Sequence, residues 1–296
     1  MASDQHQFRA AQKADFTDLY NQHNPRSYFT TLQPLEYRIP QQVLPLIRYL
    51  HHLSCQGVTS SAILDVGCSY GINGALLRHH IDMDTWTAHY TCSELSSEEQ
   101  VLADKEFFAS RTQPSKPPVL GFDKADHAVR YALNVGLIDA GWAEDLENGD
   151  PSSDLCRALQ DVTLVICTGA VGYLTSRTFD RIMAAIDRPI KPWVLSTVIR
   201  TSSYNKIGTV LREHGLVTEK LPGVVLRQRR FASAQEQSDA IAHVAALGLN
   251  PTAENKGYLC ADVYISRPLA ETSSPPISQL AEHLGGVQVV EADVCN

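Results

Sequence analysis

The chain has 296 residues, of which 44% are hydrophobic and 20% charged, as in one large α/β domain with additions or in two small domains. Its formal net charge of −8 argues against a nucleic-acid binder that neutralises phosphates over a basic face, although Arg227, Arg229 and Arg230 form one short basic run.

Seven cysteines are scattered without a C-x-x-C pair, which favours buried thiols in a reducing compartment over a disulfide framework or a zinc site. The first residues lack the apolar core of a secretion signal, and no stretch approaches the roughly 18 apolar residues of a membrane span. We therefore expect a cytoplasmic protein without a membrane, nucleic-acid or metal partner. The oligomeric state stays open, with a homodimer as one option.

The first part of the chain, residues 1–57, is predicted to be a helical N-terminal cap. Its first 15 residues are polar, and residues 41–53 have helical apolar spacing through Val43, Leu44, Ile47 and Leu50. Aromatic residues are frequent there, which would allow the cap to close over a site. Plain helical packing on the following domain is the alternative.

From residue 61 strands alternate with helices, the pattern of a mainly parallel sheet. The predicted strands are 61–66, 117–122, 141–145, 162–167, 193–199, 217–231 and 258–266. Segment 162–167 is uninterruptedly apolar, which suits a central strand buried on both faces. Segment 81–116 breaks the alternation and is interpreted as a helical insertion. The main domain is thus 58–268, and 269–296 is predicted to be a weakly packed tail.

The first strand ends in Asp65-Val-Gly-Cys-Ser-Tyr-Gly71, and a helix is predicted immediately afterwards. Glycine permits a tight turn and close backbone approach to a ligand, and a helix N-terminus presents unpaired N–H groups to an anion. The glycines at 67, 71 and 74 do not form the G-x-G-x-x-G pattern of a dinucleotide site. Asp65, two places before the first glycine, is suited to accept hydrogen bonds from an ammonium group.

This segment resembles the first motif of the class I S-adenosyl-L-methionine (SAM)-dependent methyltransferases, with Ser69 in place of the usual middle glycine. The resemblance covers about residues 61–268. It implies a Rossmann-like α/β fold with a seven-stranded, mostly parallel sheet whose last strand is antiparallel. It also implies SAM as cofactor and S-adenosyl-L-homocysteine (SAH) as product.

In this family an acid at the end of the second strand binds the ribose hydroxyls. Asp123 and Glu94 are both candidates, and Asp123 is favoured because it ends the better strand. The segment Glu144-Asp145-Leu146 resembles the family's adenine-binding segment. The loop 168–173 resembles its fourth-strand motif, where cofactor and acceptor meet.

On this resemblance, the residues assigned to the cofactor are Asp65, Gly67, Cys68, Ser69, Tyr70, Gly71, Asp123, Lys124, Glu144, Asp145, Leu146, Thr168 and Gly169. Those assigned to the acceptor are Tyr28, Tyr37, Tyr173, Arg200 and Tyr204. Tyr173 and Arg200 are the candidates for a catalytic role. For each, a structural role, as a core aromatic or in a salt bridge, is the alternative.

The acceptor is expected to be a small molecule methylated on N, O or C by in-line displacement. The fourth-strand loop lacks the Asn/Asp-Pro-Pro-aromatic segment of DNA adenine methyltransferases, and the Pro-Cys segment of the cytosine enzymes does not occur either. A protein side chain as acceptor and a SAM-binding regulatory protein without transfer activity remain alternatives. A nicotinamide-dependent oxidoreductase is disfavoured by the missing glycine pattern.

Overall fold

The alternation of strands and helices is present in a computed structural model that describes residues 17–91, 93 and 95–284. Within those residues, eight strands form one sheet: β1 (Ala62–Val66), β2 (Val119–Asp123), β3 (Ala140–Ala143), β4 (Val162–Thr168), β5 (Trp193–Ile199), β6 (Leu216–Lys220), β7 (Leu226–Arg230) and β8 (Tyr258–Pro268). The helices before β3 are α1 (Arg26–Leu32), α2 (Ile39–Ser54), α3 (Ile72–Arg78), α4 (Met83–Thr91), α5 (Ser97–Ala109) and α6 (Asp126–Val135). The later ones are α7 (Ser153–Ala158), α8 (Ser176–Ala185), α9 (Asn205–Glu213), α10 (Ala234–Ala246), α11 (Thr252–Asn255) and α12 (Ile277–Glu282).

The sheet has the strand order β3-β2-β1-β4-β5-β8-β6, and β7 also pairs with β8. All pairs among β1 to β5 are parallel, whereas β8 runs antiparallel to β5, β6 and β7. The predicted fold class, a mostly parallel α/β sheet with an antiparallel last strand and flanking helices, is therefore confirmed.

The number of strands differs from the prediction, because the segment 217–231 is two strands rather than one. Pro222 and Gly223 separate β6 from β7, and Gly223 has a left-handed φ of 70°. Proline has no N–H to donate to a ladder, and the turn redirects the chain. β6 therefore pairs with the C-terminal half of β8 and β7 with its N-terminal half.

The centre of the sheet is buried on both faces, as the apolar run at β4 predicted. Every residue of β4 and of β5 is buried. Alternate side chains of each strand enter two different cores, since side chains in a strand alternate between faces. Ile63 and Leu164 pack with α2 and α3, whereas Leu64 and Val165 pack with α8 and α9.

The segment 81–116 contains α4 and α5. Ser96 and Glu99 form a capping box at the start of α5, in which each side chain bonds the other residue's backbone N–H. Asp104 of α5 is fully buried and accepts hydrogen bonds from His89, Tyr90, Gln100 and Tyr131. Since Tyr131 belongs to α6, this carboxylate fastens the segment to the main domain.

The prediction of a weakly packed tail is wrong for residues 269–284. Leu280 and Leu284 are completely buried in the main core. His283 stacks on Tyr49 with ring centroids 3.5 Å apart, and Glu271 accepts a hydrogen bond from the indole of Trp193. Residues 285–296 lie outside the described part. None of the described helices has the length and apolar character needed to cross a membrane.

Candidate functional site

A cavity of about 410 Å³ opens where the parallel strands β1 to β4 end. Open α/β sheets place ligands at this edge, beyond the carboxyl ends of the strands. Strand ends and the loops after them contribute Gly67, Cys68, Ser69, Phe122, Asp123, Lys124, Ala125, Glu144, Asp145, Leu146, Glu147, Asn148, Thr168, Gly169, Ala170, Tyr173 and Leu174. The start of α3 and the N-terminal part of the chain contribute Ile72, Asn73, Tyr20, Asn21, Tyr28, Tyr37 and Pro40.

The turn after β1 is held in a shape that excludes larger residues. Gly67 has a φ of 78°, and a Cβ there would lie 2.5 Å from the Cβ of Ala170. Gly71 has a φ of 76°, and a Cβ there would lie 2.9 Å from Ala132. The glycines therefore let the turn pack directly against the loop after β4 and against α6.

Asp65 lies beneath this turn, fully buried, and reaches the cavity through Asn73. The Asn73 amide nitrogen donates to Asp65 Oδ1 at 2.9 Å and to Thr168 Oγ1 at 2.8 Å. With both N–H bonds used, Asn73 Oδ1 is a buried acceptor without a partner among the described residues, as is Asp65 Oδ2. Burial raises the pKa of Asp65 to about 7, against the lowering effect of the Asn73 hydrogen bond, and the charge of Asp123 raises it further.

Asp123 occupies the end of β2, the neighbour of β1, as predicted for the second strand. Its Oδ2 accepts from the Ser69 backbone N–H at 2.9 Å, and its Oδ1 accepts from that of Ala125 at 3.0 Å. Burial raises the pKa of Asp123, and these backbone hydrogen bonds oppose the rise. The competing candidate Glu94 lies outside the described residues.

The loop after β3 forms another part of the wall. Leu146 is buried, whereas Asp145 is exposed and accepts from the Asn148 side chain at 2.7 Å and from the Glu147 N–H at 3.0 Å. The Asn148 hydrogen bond is the main cause that lowers the pKa of Asp145. Glu144 accepts from Ser152 at the start of α7. These bonds fix the loop around an apolar wall with an acidic rim.

Tyrosines from the N-terminal segment form the remaining wall. The rings of Tyr28 and Tyr37 pack edge-to-face, and burial raises the pKa of both phenols. A Cβ on Gly169 would lie 2.7 Å from the Tyr37 hydroxyl, so this phenol meets the loop after β4. The Tyr20 ring lies 5.8 Å from that of Tyr28, and 46% of Tyr173 is exposed.

The structure does not bring Arg200 or Tyr204 to this cavity. Arg200 donates to both carboxylate oxygens of Glu254, at 3.0 and 2.7 Å, and is only 6% exposed. Tyr204 bonds to Ser196 and stacks on Tyr264 at 4.6 Å. Because these partners hold both side chains in the core, the predicted acceptor roles, and the catalytic role of Arg200, lose their support. A separate depression beside Tyr204, between α9 and β6, shares no lining residue with this cavity.

Three residues assigned to the cofactor, Asp65, Tyr70 and Gly71, are buried next to the cavity rather than lining it. The Tyr70 hydroxyl donates to the Leu19 carbonyl at 2.8 Å and accepts from the Gln22 N–H at 2.8 Å. It thereby ties the turn after β1 to residues 19–22, whose Tyr20 belongs to the cavity wall.

The sequence reasoning missed Asn73 as a site residue. A signal was present, because α3 is otherwise an almost wholly apolar helix and all its residues are buried. An amide in such a helix needs a polar partner, and the acid at the end of β1 is the nearest one. Asn21, Glu147 and Asn148 also line the cavity and were not assigned.

No protein-family model matches the chain, and no curated protein sequence matches it. The fold is similar to a precorrin-6y C5,15-methyltransferase from Geobacter metallireducens, at 11% identity and a TM-score of 0.37 over 77% of this chain and 86% of that one. It is also similar to a magnesium protoporphyrin IX methyltransferase from Synechocystis with bound SAM (11% identity, TM-score 0.36, 78% and 80% covered). A third similar structure is a precorrin 8W decarboxylase from Methanobacterium thermoautotrophicum (16% identity, TM-score 0.38, 77% and 90% covered).

Proposed function

We propose that the protein is a SAM-dependent methyltransferase that acts on a small-molecule acceptor. The observation that carries the proposal is a pair of buried acceptor atoms without a partner among the described residues: Asn73 Oδ1, on a side chain that lines the cavity, and Oδ2 of Asp65, the carboxyl that Asn73 binds. A buried polar atom without a hydrogen bond is costly, by about 1–3 kcal/mol. A ligand that donates hydrogen bonds and carries positive charge at this point would relieve that cost.

The α-ammonium group of SAM fits this position. Asn73 Oδ1 would accept one of its N–H bonds, and Asp65 would supply negative charge from behind the amide. The buried Ser69 hydroxyl, which also lacks a partner among the described residues, would donate to the ligand's carboxylate. Asp65 then acts as a positioning residue through Asn73, one step further from the ligand than the sequence predicted.

The other walls fit the remaining parts of the cofactor. Asp123 keeps free lone pairs after its two backbone hydrogen bonds, and these would accept from ribose hydroxyls. Leu146 would pack on the adenine ring, and Asp145 would accept from its amino group. The cavity volume of about 410 Å³ lies within the usual range for small-molecule sites, roughly 300–1,000 Å³.

The cofactor, when bound, supplies a methyl group that is already activated by the positive sulfur. The chain's residues are then needed for alignment and for excluding water. The loop after β4 and the tyrosines of the N-terminal segment line one end of the cavity. We propose that an acceptor meets the methyl group at this end. Tyr173 remains the proposed acceptor contact.

Calorimetric titration with SAM, SAH and NAD tests the proposal. We expect the first two ligands to bind with a dissociation constant in the micromolar range and NAD not to bind. Asn73→Leu should weaken both by at least about tenfold, since it removes one charge-assisted hydrogen bond and the Asp65 partner. Asn134→Leu, on the exposed side of α6, is the matched control and should bind as the wild type does. Binding of NAD without binding of SAM would refute the proposal.

A further inference from the structure

The cavity has an aromatic end built from four tyrosines, Tyr20, Tyr28, Tyr37 and Tyr173, which we term the tyrosine cluster. Three of its members are in direct contact, because Tyr28 packs edge-to-face against both Tyr20 and Tyr37. The cluster meets the loop after β4 at Gly169. It therefore forms the part of the wall where the acceptor is proposed to lie.

The rings of the cluster are steeply inclined to one another. Tyr20 and Tyr28 make an interplanar angle of 69°, with centroids 5.8 Å apart, and Tyr28 and Tyr37 make one of 88° at 6.3 Å. These are edge-to-face contacts, and since all four side chains line the cavity, its wall here consists of aromatic rings and hydroxyls. Aromatic faces attract cations through their negative π-clouds, and a wall of this kind suits an ammonium group.

The charges of the residues that line the cavity also favour a cationic ligand over an anionic one. Four carboxylates line it in the described structure, and Lys124 is the sole cation among the lining residues. Lys124 lies near Asp145, at the wall assigned to adenine. Arg229, which is not among the lining residues, is paired with Glu236 at 2.6 Å. Among the described lining residues, an acceptor with a carboxylate or phosphate at its reacting end would thus find no lysine or arginine beside the tyrosine cluster to neutralise it.

The tyrosine cluster also supplies no base. Burial raises the pKa of Tyr20, Tyr28 and Tyr37, so their phenols stay protonated at neutral pH. No histidine occurs among the cavity-lining residues in the described part of the chain. An alcohol, phenol, thiol or carbon acid must lose a proton to become a strong nucleophile, whereas a free amine already carries its lone pair.

Building on the proposed function, we infer that the acceptor is an amine nitrogen, bound as its free base within the tyrosine cluster. The nitrogen lone pair forms the new N–C bond, the C–S bond breaks, and its electron pair remains on the sulfur. The positive charge thereby moves from sulfur to nitrogen. Any N–H proton is released afterwards to water. The aromatic faces stabilise the sulfonium before the transfer and the methylated ammonium after it, whereas an oxygen anion as acceptor would leave no cation after the transfer.

A pair of probes of equal shape tests this inference without turnover. SAH-loaded protein is titrated with choline and with its uncharged isostere, in which carbon replaces the quaternary nitrogen. We expect choline to bind about tenfold more tightly or better. Tyr28→Phe keeps the aromatic face and should retain this preference, whereas Tyr28→Leu should lose it. Tyr49→Leu, an aromatic position stacked on His283 and outside the cavity lining, is the matched control and should keep it.

Turnover provides a second arm, with amines and size-matched phenols and carboxylates offered together with SAM. Methylation of amines alone supports the inference. Equal binding of the two probes, or methylation of phenols or carboxylates but not of amines, overturns it while leaving SAM binding and the proposed function intact. Failure of SAH to bind at all would instead remove the proposed function.

Discussion

Binding of an ammonium-bearing ligand should drive a proton off Asp65. Burial raises the pKa of Asp65 from its ordinary value of 3.8 to about 7. This rise means that the folded protein disfavours the ionised carboxylate by about 4 kcal/mol. Since the unfolded chain loses this proton near pH 4 and the folded protein keeps it until about pH 7, the ligand-free fold loses stability across that interval as the pH rises. A bound ammonium group at Asn73 favours the carboxylate and lowers its pKa again. Affinity should therefore increase with pH up to about 7.

The proton count can be measured by calorimetry at pH 6 in buffers of different ionisation enthalpy. At that pH roughly nine-tenths of Asp65 is protonated without ligand, and the α-amino group of the ligand is charged in solution. We expect release of a large fraction of one proton per SAH bound. Asp65→Asn should abolish this release and weaken binding, whereas the exposed Asp154→Asn should leave both unchanged. Equal release by the wild type and Asp65→Asn, or none by the wild type, would refute the role assigned to this carboxyl.

Three further changes test the turn, the ribose site and the tyrosine wall. Gly67→Ala should lower the free energy of unfolding in urea by at least about 2 kcal/mol, because its φ is 78° and its Cβ would lie 2.5 Å from a carbon of the loop after β4. Gly136→Ala, with a φ of 84° and open space around it, should cost about 1 kcal/mol, and equal costs would contradict the packing argument. Asp123→Ala should weaken SAM binding by more than Glu94→Ala in the same titration, and the reverse order would show that the ribose acid is misassigned. Tyr173→Phe should lower kcat more than it lowers SAM affinity, and an unchanged kcat would remove this hydroxyl from the acceptor site.

Local sequence signals were sufficient to predict most strands of the sheet. The apolar run at β4 and the glycine turn after β1 depend only on neighbouring residues, and both appear where they were predicted. Asp123 could be placed because it ends a strand and precedes a helix. Pro222-Gly223 also carried a local signal for a break, since this pair marks turns, but the alternating pattern on either side concealed it.

Contacts between distant segments were beyond such reasoning. Arg200 ends a strand at the ligand-binding edge, yet Glu254, 54 positions later, holds it in the core. Tyr20 belongs to the cavity only because Tyr70 binds the backbone on both sides of it. The burial of Leu280 likewise depends on α12 reaching the core of the N-terminal helices. In each case the determining partner is remote in sequence, so spacing alone could not reveal it.

The strand β8 pairs with β5 on one side and with β6 and β7 on the other, and this position sets an order in which the chain can become structured during synthesis. Within the described residues, β6 and β7 hydrogen-bond to no strand except β8, whose residues 258–268 leave the ribosome after those of β1 to β7. Domains fold from the N-terminus as they emerge, and exposed strand edges invite aggregation. The strands β1 to β5, with the glycine turn, can pair early. The open edge of β5, together with β6 and β7, must wait for β8, so a nascent chain stalled before residue 258 carries two unpaired strands and one exposed strand edge and is a form that a chaperone would need to protect.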